Sequence, residues 1–220
     1  MTKVYVFDVN ETLLDLAALD PYFARVFGDA SLRNVWFAQM LQSALVATIT
    51  DRYTPFGAIG VNALEMLAAR QGVTLTAEHR QELSEGMQHL PPHPEVRESL
   101  ARLRAAGLRL STLTNSTRSV GEAQIANAGL SEFFEQVLTA DEVKRLKPAP
   151  EPYHMAAQRL GVEIGDVRLI AAHGWDIAGA LRAGCAAAFI ARPGKVLDPL
   201  VEKPDVIGND LREVVEQILL

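Results

Sequence analysis

Four short stretches of this 220-residue sequence hold residue types that can do chemistry together. Asp8-Val9-Asn10-Glu11-Thr12 follows the apolar run Val4-Tyr5-Val6-Phe7, and Thr114-Asn115-Ser116 follows Leu108 to Leu113. Lys147-Pro148 lies in the loop after Gln136 to Leu138, and His173-Gly174-Trp175-Asp176 follows Val167 to Ala172. They supply carboxylates, hydroxyls, an amide, an ammonium and an imidazole. A carboxylate paired with a cation can serve as a nucleophile, and an imidazole oriented by a carboxylate can serve as a base. Each residue also has a plain structural reading. Asp8 ends a strand, Thr114 and Asn115 suit a turn, and Asp176 suits the N-cap of a following helix. Tyr153 and Trp175 read equally as core or as pocket wall. A common position for the four stretches favours the functional reading of Asp8 and Lys147, and leaves both readings open for Tyr153, Trp175 and Asp176.

That position follows from the elements that carry them. The four apolar runs, with a fifth at Ala187 to Ala191, are short and β-rich and predict buried strands. Between them Pro94 to Ala106, Ser119 to Asn127, Pro152 to Leu160 and Ile177 to Ala183 repeat apolar residues at helical spacing. Gly107, Gly129, Gly161 and Gly184 follow these stretches, where a C-terminal cap belongs. Alternating strand and helix imply a parallel sheet covered on both faces. Ligands gather beyond the carboxyl ends of such strands, so all four polar stretches reach one rim. Residues 16–93 differ. They contain no convincing strand and read as helices broken near Gly28-Asp29, Thr54-Pro55-Phe56-Gly57 and Gly72-Val73-Thr74, with Pro91-Pro92-His93-Pro94 a stiff return. An excursion of that length implies a lid. The expected division is a core of residues 1–15 and 94–220 and a helical cap of residues 16–93.

Composition narrows the setting. Hydrophobic residues make up 49% and charged residues 22%, which suits a globular core. A net charge of −6 and scattered Lys and Arg argue against nucleic acid or an anionic membrane surface as partner. The single cysteine, Cys185, excludes an internal disulfide framework and suits a reducing compartment. No charged-then-apolar leader precedes the first strand and no apolar run approaches membrane-spanning length, so a cytoplasmic location is expected.

Asp8-x-Asn10-x-Thr12-Leu13, Thr114-Asn115, Lys147-Pro148 and Asp176 resemble, in order, the four motifs of the haloacid dehalogenase superfamily, across nearly the whole chain. The resemblance implies a Rossmann-like three-layer α/β core with sheet order 5-4-1-2-3 and an inserted helical cap. Phosphatases of the superfamily carry a second Asp where this chain has Asn10, and an acidic residue where it has Ala172. Asn10 cannot exchange a proton near neutral pH, and a Mg²⁺ site usually needs more than one carboxylate. The chain therefore resembles the 2-haloacid dehalogenases more closely, whose leaving halide needs no proton. That resemblance implies hydrolysis of short 2-haloalkanoic acids, the L enantiomer with inversion, through an ester on Asp8 and with no cofactor. The partner is a small halogenated carboxylic acid, and a homodimer through the apolar lid is compatible with it. Lys147 would pair with Asp8 and help hold the substrate carboxylate, and Thr114 would bind that carboxylate. Asn115 would line the halide cradle, Tyr153 the pocket, and Val9 and Asn10 the substrate. Asp176 would orient Lys147 or the water, and Thr12 would bond Asp8.

Three departures stand out. The halide-receiving arginine of those enzymes aligns with Phe37, whose ring edge receives an anion only weakly; Arg33 and Arg52 are nearby replacements. The glycine before the motif-one threonine is Glu11, and the water-positioning asparagine is His173. Glu11 and His173 together predict a dyad that activates the ester-hydrolysing water. Two other readings stay open: a phosphatase or a hydrolase acting on another activated carbon, and a silent core that binds a carboxylate metabolite or a protein.

Overall fold

A computed structural model describes residues 2–220. Six parallel strands form one sheet: β1 (Val4–Phe7), β2 (Arg109–Thr114), β3 (Val137–Thr139), β4 (Val167–Ala171), β5 (Ala186–Ile190) and β6 (Val206–Gly208). Their order is β3-β2-β1-β4-β5-β6, the expected five-strand order with one strand added at the edge. β1 is central, with Val4 opposite both Arg109 and Val167 and Phe7 opposite both Thr112 and Ile170.

Side chains alternate across the sheet. Tyr5 and Phe7 point into a core shared with α5 (Val96–Ala105), α6 (Arg118–Asn127) and α9 (Leu211–Ile218). Val4 and Val6 point the other way, against α7 (Pro150–Leu160) and α8 (Gly174–Ala183). Both faces are covered, so β1 reads as an unbroken apolar run, and each fully buried side chain there contributes about 1.5–3 kcal/mol. Gly161 and Gly184 close α7 and α8 in the left-handed conformation, as a glycine can at least cost.

The insert is helical throughout: α1 (Asp20–Phe27), α2 (Leu32–Ile49), α3 (Phe56–Gln71) and α4 (Ala77–Gln88). Its two ends are bonded to each other, Asp15 N–H to the Pro91 carbonyl and His93 N–H to the Leu13 carbonyl, so the chain leaves and rejoins the core at one place. Inside it Trp36 donates its indole N–H to the Gly60 carbonyl at 2.8 Å. A Cβ at Gly60 would stand 3.1 Å from Met40 Cε, so glycine is what lets α2 and α3 approach this closely. Among the described residues no helix is long and apolar enough to cross a membrane.

Candidate active site

Asp8 directly follows β1, and its backbone N–H bonds the Ile170 carbonyl and so keeps the residue in line with the sheet. The chain then turns tightly, with Leu13 and Leu14 N–H groups on the Val9 carbonyl, and this turn brings Thr12 back over Asp8. Thr12 donates its hydroxyl to Asp8 Oδ2 at 2.6 Å while accepting the Ala172 N–H at 3.0 Å, which fixes its proton toward the carboxylate. The other oxygen, Oδ1, receives Lys147 Nζ at 3.0 Å.

Lys147 is completely buried, and its three donors are all used, on Asp8, on Asp176 Oδ2 at 2.6 Å and on the Leu113 carbonyl at 2.8 Å. Asn115 grips its backbone from the next strand end, accepting the Lys147 N–H at 2.8 Å and donating to the Lys147 carbonyl at 3.3 Å. Tyr153 donates its hydroxyl to the second oxygen of Asp176 at 2.5 Å. Tyr153 therefore buttresses Asp176 and is not among the residues lining the cavity, unlike the expected pocket wall. Its large ring fits the apolar layer between the sheet and α7 and α8.

Glu11 and His173 do meet. His173 Nε2 lies 2.8 Å from Glu11 Oε2, and its Nδ1 lies 3.1 Å from Asp8 Oδ2. The imidazole stacks on Trp175 at 5.1 Å and faces Phe37 at 6.0 Å. Glu11 has a φ of 61°, a left-handed backbone that disfavours any side chain, and it also receives Lys195 Nζ at 2.5 Å.

The charges at this rim are interdependent. Burial opposes ionisation of Asp8, but Lys147, His173 and Thr12 outweigh it and hold the carboxyl well below the ordinary range. Burial would likewise lower His173, but the Asp8 and Glu11 carboxylates push it up to about 9, so the resting ring is an imidazolium. Burial opposes ionisation of Glu11 too, and His173 and Lys195 keep its carboxyl below the usual value. Burial disfavours the Lys147 cation, yet Asp176 and Asp8 hold it protonated. Asp176 is raised by burial, and the short bonds from Lys147 and Tyr153 mark it as an ionised acceptor.

Asp8, Asn10, Thr114, Asn115, His173 and Trp175 from the core line a small cavity with Phe37, Leu41 and Phe56 from the insert. About 10 Å³ of it is open to the centre of a water molecule. Wider clefts of about 630 and 830 Å³ flank it, the first beyond Glu11 and Phe37, the second beyond His173 and Trp175. The Trp175 indole nitrogen is buried with no protein partner. Val9 packs into the core with its side chain, away from the cavity. Of the two candidate arginines, Arg52 is exposed outside the cavity, in the loop after α2, and Arg33 is held by Asp20 at 2.5 Å and stands 3.9 Å from Glu11. Neither lines the small cavity, and Arg33 lines the adjoining cleft beyond Glu11 and Phe37.

Sequence reasoning missed Lys195, Arg192 and Gln124. Gln124 donates to Asn10 Oδ1 at 2.9 Å and to the Met87 carbonyl at 2.7 Å, tying the first loop to the insert. Lys195 follows the end of the fifth strand, so the rim rule places its turn near the site, but nothing in the sequence aims its side chain at Glu11. Among the described residues no group of three or more His, Cys, Asp or Glu is arranged to hold a metal ion.

The model of the haloacid dehalogenase-like hydrolase family matches residues 2–184. The chain belongs to that family. This dehalogenase-like hydrolase is 29% identical over 216 residues to an (S)-2-haloacid dehalogenase of Pseudomonas sp. (strain YL), covering 97% of this chain and 93% of that one. It is 27% identical to the haloacetate dehalogenase H-2 of Moraxella sp. (strain B), covering 92% of each. A solved L-2-haloacid dehalogenase superposes with a TM-score of 0.95 at 27% identity, covering 100% of this chain and 99% of the other. The hydrolase thus shares its relatives' α/β architecture and helical insert along its full length.

Proposed function

We propose that this protein hydrolyses the carbon–halogen bond of short 2-haloalkanoic acids, with Asp8 as the nucleophile. The observation that carries the reading is Asp8 itself, an ionised and nearly buried carboxylate at the edge of a small, largely apolar cavity. One Asp8 oxygen attacks C2 opposite the halogen, the C–X electron pair leaves with the halide, C2 inverts, and an aspartyl ester remains. Asp8 gives up its charge in this step while the substrate carboxylate brings one, so Lys147 can exchange one partner for the other, with the Thr114 hydroxyl as a second donor. The unpartnered Trp175 indole N–H and the remaining Asn115 amide proton are donors within reach of the cavity wall for the departing halide.

Water then attacks the ester carbonyl, the bond to the alkoxy oxygen breaks, and the 2-hydroxy acid leaves with the water oxygen retained on Asp8. His173, oriented by Glu11, is the base for that water. Esterification removes one of the two carboxylates that hold its proton, so the ring can lose that proton to solvent and then accept one from the water. The sum is haloacid and water giving hydroxy acid, halide and one proton. Residues 16–93 act as the cap in this scheme, the tight cavity favours the shortest acids, and the L enantiomer is the one that the relatives' preference suggests.

Halide release from chloroacetate, bromoacetate and both 2-chloropropionates, with and without chelator, tests the reading. Release should be indifferent to chelator and fall more than about 10³-fold in Asp8→Asn. Failure of every substrate, or dependence on added Mg²⁺, would overturn it.

A further inference from the structure

The turn after β5 reaches the site with two cations. Arg192 donates to the Thr12 carbonyl at 2.7 and 3.2 Å and pairs with Glu95 at 2.8 Å, which clamps the turn onto the first loop. Lys195 N–H then closes on the Arg192 carbonyl at 2.8 Å, with Gly194 at a φ of 78°. The closure sets Lys195 Nζ on Glu11 Oε2, the same oxygen that faces His173 Nε2. One turn thus grips residue 12 with one side chain and residue 11 with the other.

We propose that Lys195 is a positioning residue for the base of the hydrolytic step, holding Glu11 aimed at His173 and opposing the proton that the two carboxylates fix on the ring. The step it serves rests on the dehalogenation reading; the electrostatic coupling belongs to the resting protein. Glu11 sits in a backbone conformation that costs a side chain, and such a position persists only where its surroundings hold it. Lys195 is the outward end of the contact chain, a quarter exposed, whereas Glu11 and His173 are buried.

The charged groups around the imidazole are few. Asp8 faces it from the end of β1, itself held by Lys147, which is shared with Asp176. Glu11 faces it from the first loop, with Lys195 on one oxygen and Arg33 of α2 3.9 Å from the other. Asp8 and Glu11 favour the imidazolium, and the Lys195 and Arg33 cations oppose it. Removing Lys195 therefore strengthens the hold of Glu11 on the proton, while His173 and Arg33 remain to keep Glu11 ionised.

The test is the titration of the His173 ring by NMR in the resting protein, for wild type, Lys195→Met and Lys195→Arg, alongside single-turnover ester hydrolysis of bromoacetate across pH. In Lys195→Met the His173 midpoint should rise by roughly half to one pH unit. Hydrolysis near neutral pH should fall about three- to tenfold and recover in alkali, with the alkylation burst unchanged. Lys195→Arg should behave as wild type. An unmoved His173 midpoint in Lys195→Met, or an equal loss in Lys195→Arg, would overturn the proposal. If the midpoint moves but no form, wild type included, turns over a haloacid, the coupling holds and the dehalogenation reading fails instead.

Discussion

The inner and outer halves of the site are built differently. The inner half, Asp8, Lys147 and Asp176, gathers at the carboxyl edge of the sheet, is buried, and has every Lys147 donor occupied by the protein. The outer half, Glu11, His173 and Lys195, joins a left-handed loop residue to a turn at the border of an open cleft. Fixed charges whose reorganisation is already complete suit the attack on carbon proposed for Asp8. The base proposed for the second step would change protonation twice per cycle, which needs balanced neighbours and a route to solvent. The division of labour, nucleophile inside and proton handling outside, is what the two environments support.

The largest way to break that contrast is to remove the inner cation. Lys147→Met leaves Asp176 buried with no cation and Asp8 with His173 as its one remaining counter-charge, and should cost about 3–5 kcal/mol in urea unfolding. The partly exposed Lys195 should cost no more than about 1 kcal/mol when removed. Equal costs would erase the distinction.

Next in size is the pH dependence of stability. In the fold His173 titrates at about 9, above the ordinary 6.5, so its ion pairs stabilise fully below about pH 6.5 and fade as the pH rises through 9. Asp8 runs the opposite way, because its depressed carboxyl contributes above the ordinary 3.8 and loses that contribution as acid protonates it. Alkaline unfolding curves should show a His173 contribution on the order of 3 kcal/mol, absent from His173→Asn. A wild type as flat as the variant would place the imidazole outside the charge cluster.

The kinetic counterpart is smaller. His173→Asn should slow ester hydrolysis about 10²-fold while leaving alkylation intact, so intact-protein mass should reveal an accumulated adduct. Normal turnover without an adduct would remove the dyad from the mechanism.

The sequence made the inner half legible because it lies where apolar runs stop. Asp8, Thr12, Thr114 and Asn115 fall at or just after strand ends, Asp176 falls in the first turn of the helix that follows β4, and Lys147 falls in the longer connection after β3; periodicity locates those strand ends. Glu11 and His173 were legible only as a pair, each being an ordinary polar residue alone. Lys195 stayed hidden because a lysine in Arg192-Pro193-Gly194-Lys195 reads as a solvated turn, and only the three-dimensional closure on Arg192 brings it to Glu11. β6 and α9 were missed for a related reason. β6 spans three residues with Ile207 exposed, too short for a period-two pattern, and it follows a Pro- and Asp-containing stretch that reads as loop. Tyr153 shows the limit of motif reasoning, since its position beside the site is right and its direction, toward Asp176, was not readable.

The central claim, a transient bond between Asp8 and carbon, is tested most directly by one turnover in heavy-oxygen water with enzyme in excess. The account predicts labelled oxygen in the Asp8 carboxylate and an unlabelled hydroxyl in the product. Label in the first product, with Asp8 unlabelled, would mean that water attacks the substrate directly and would contradict it.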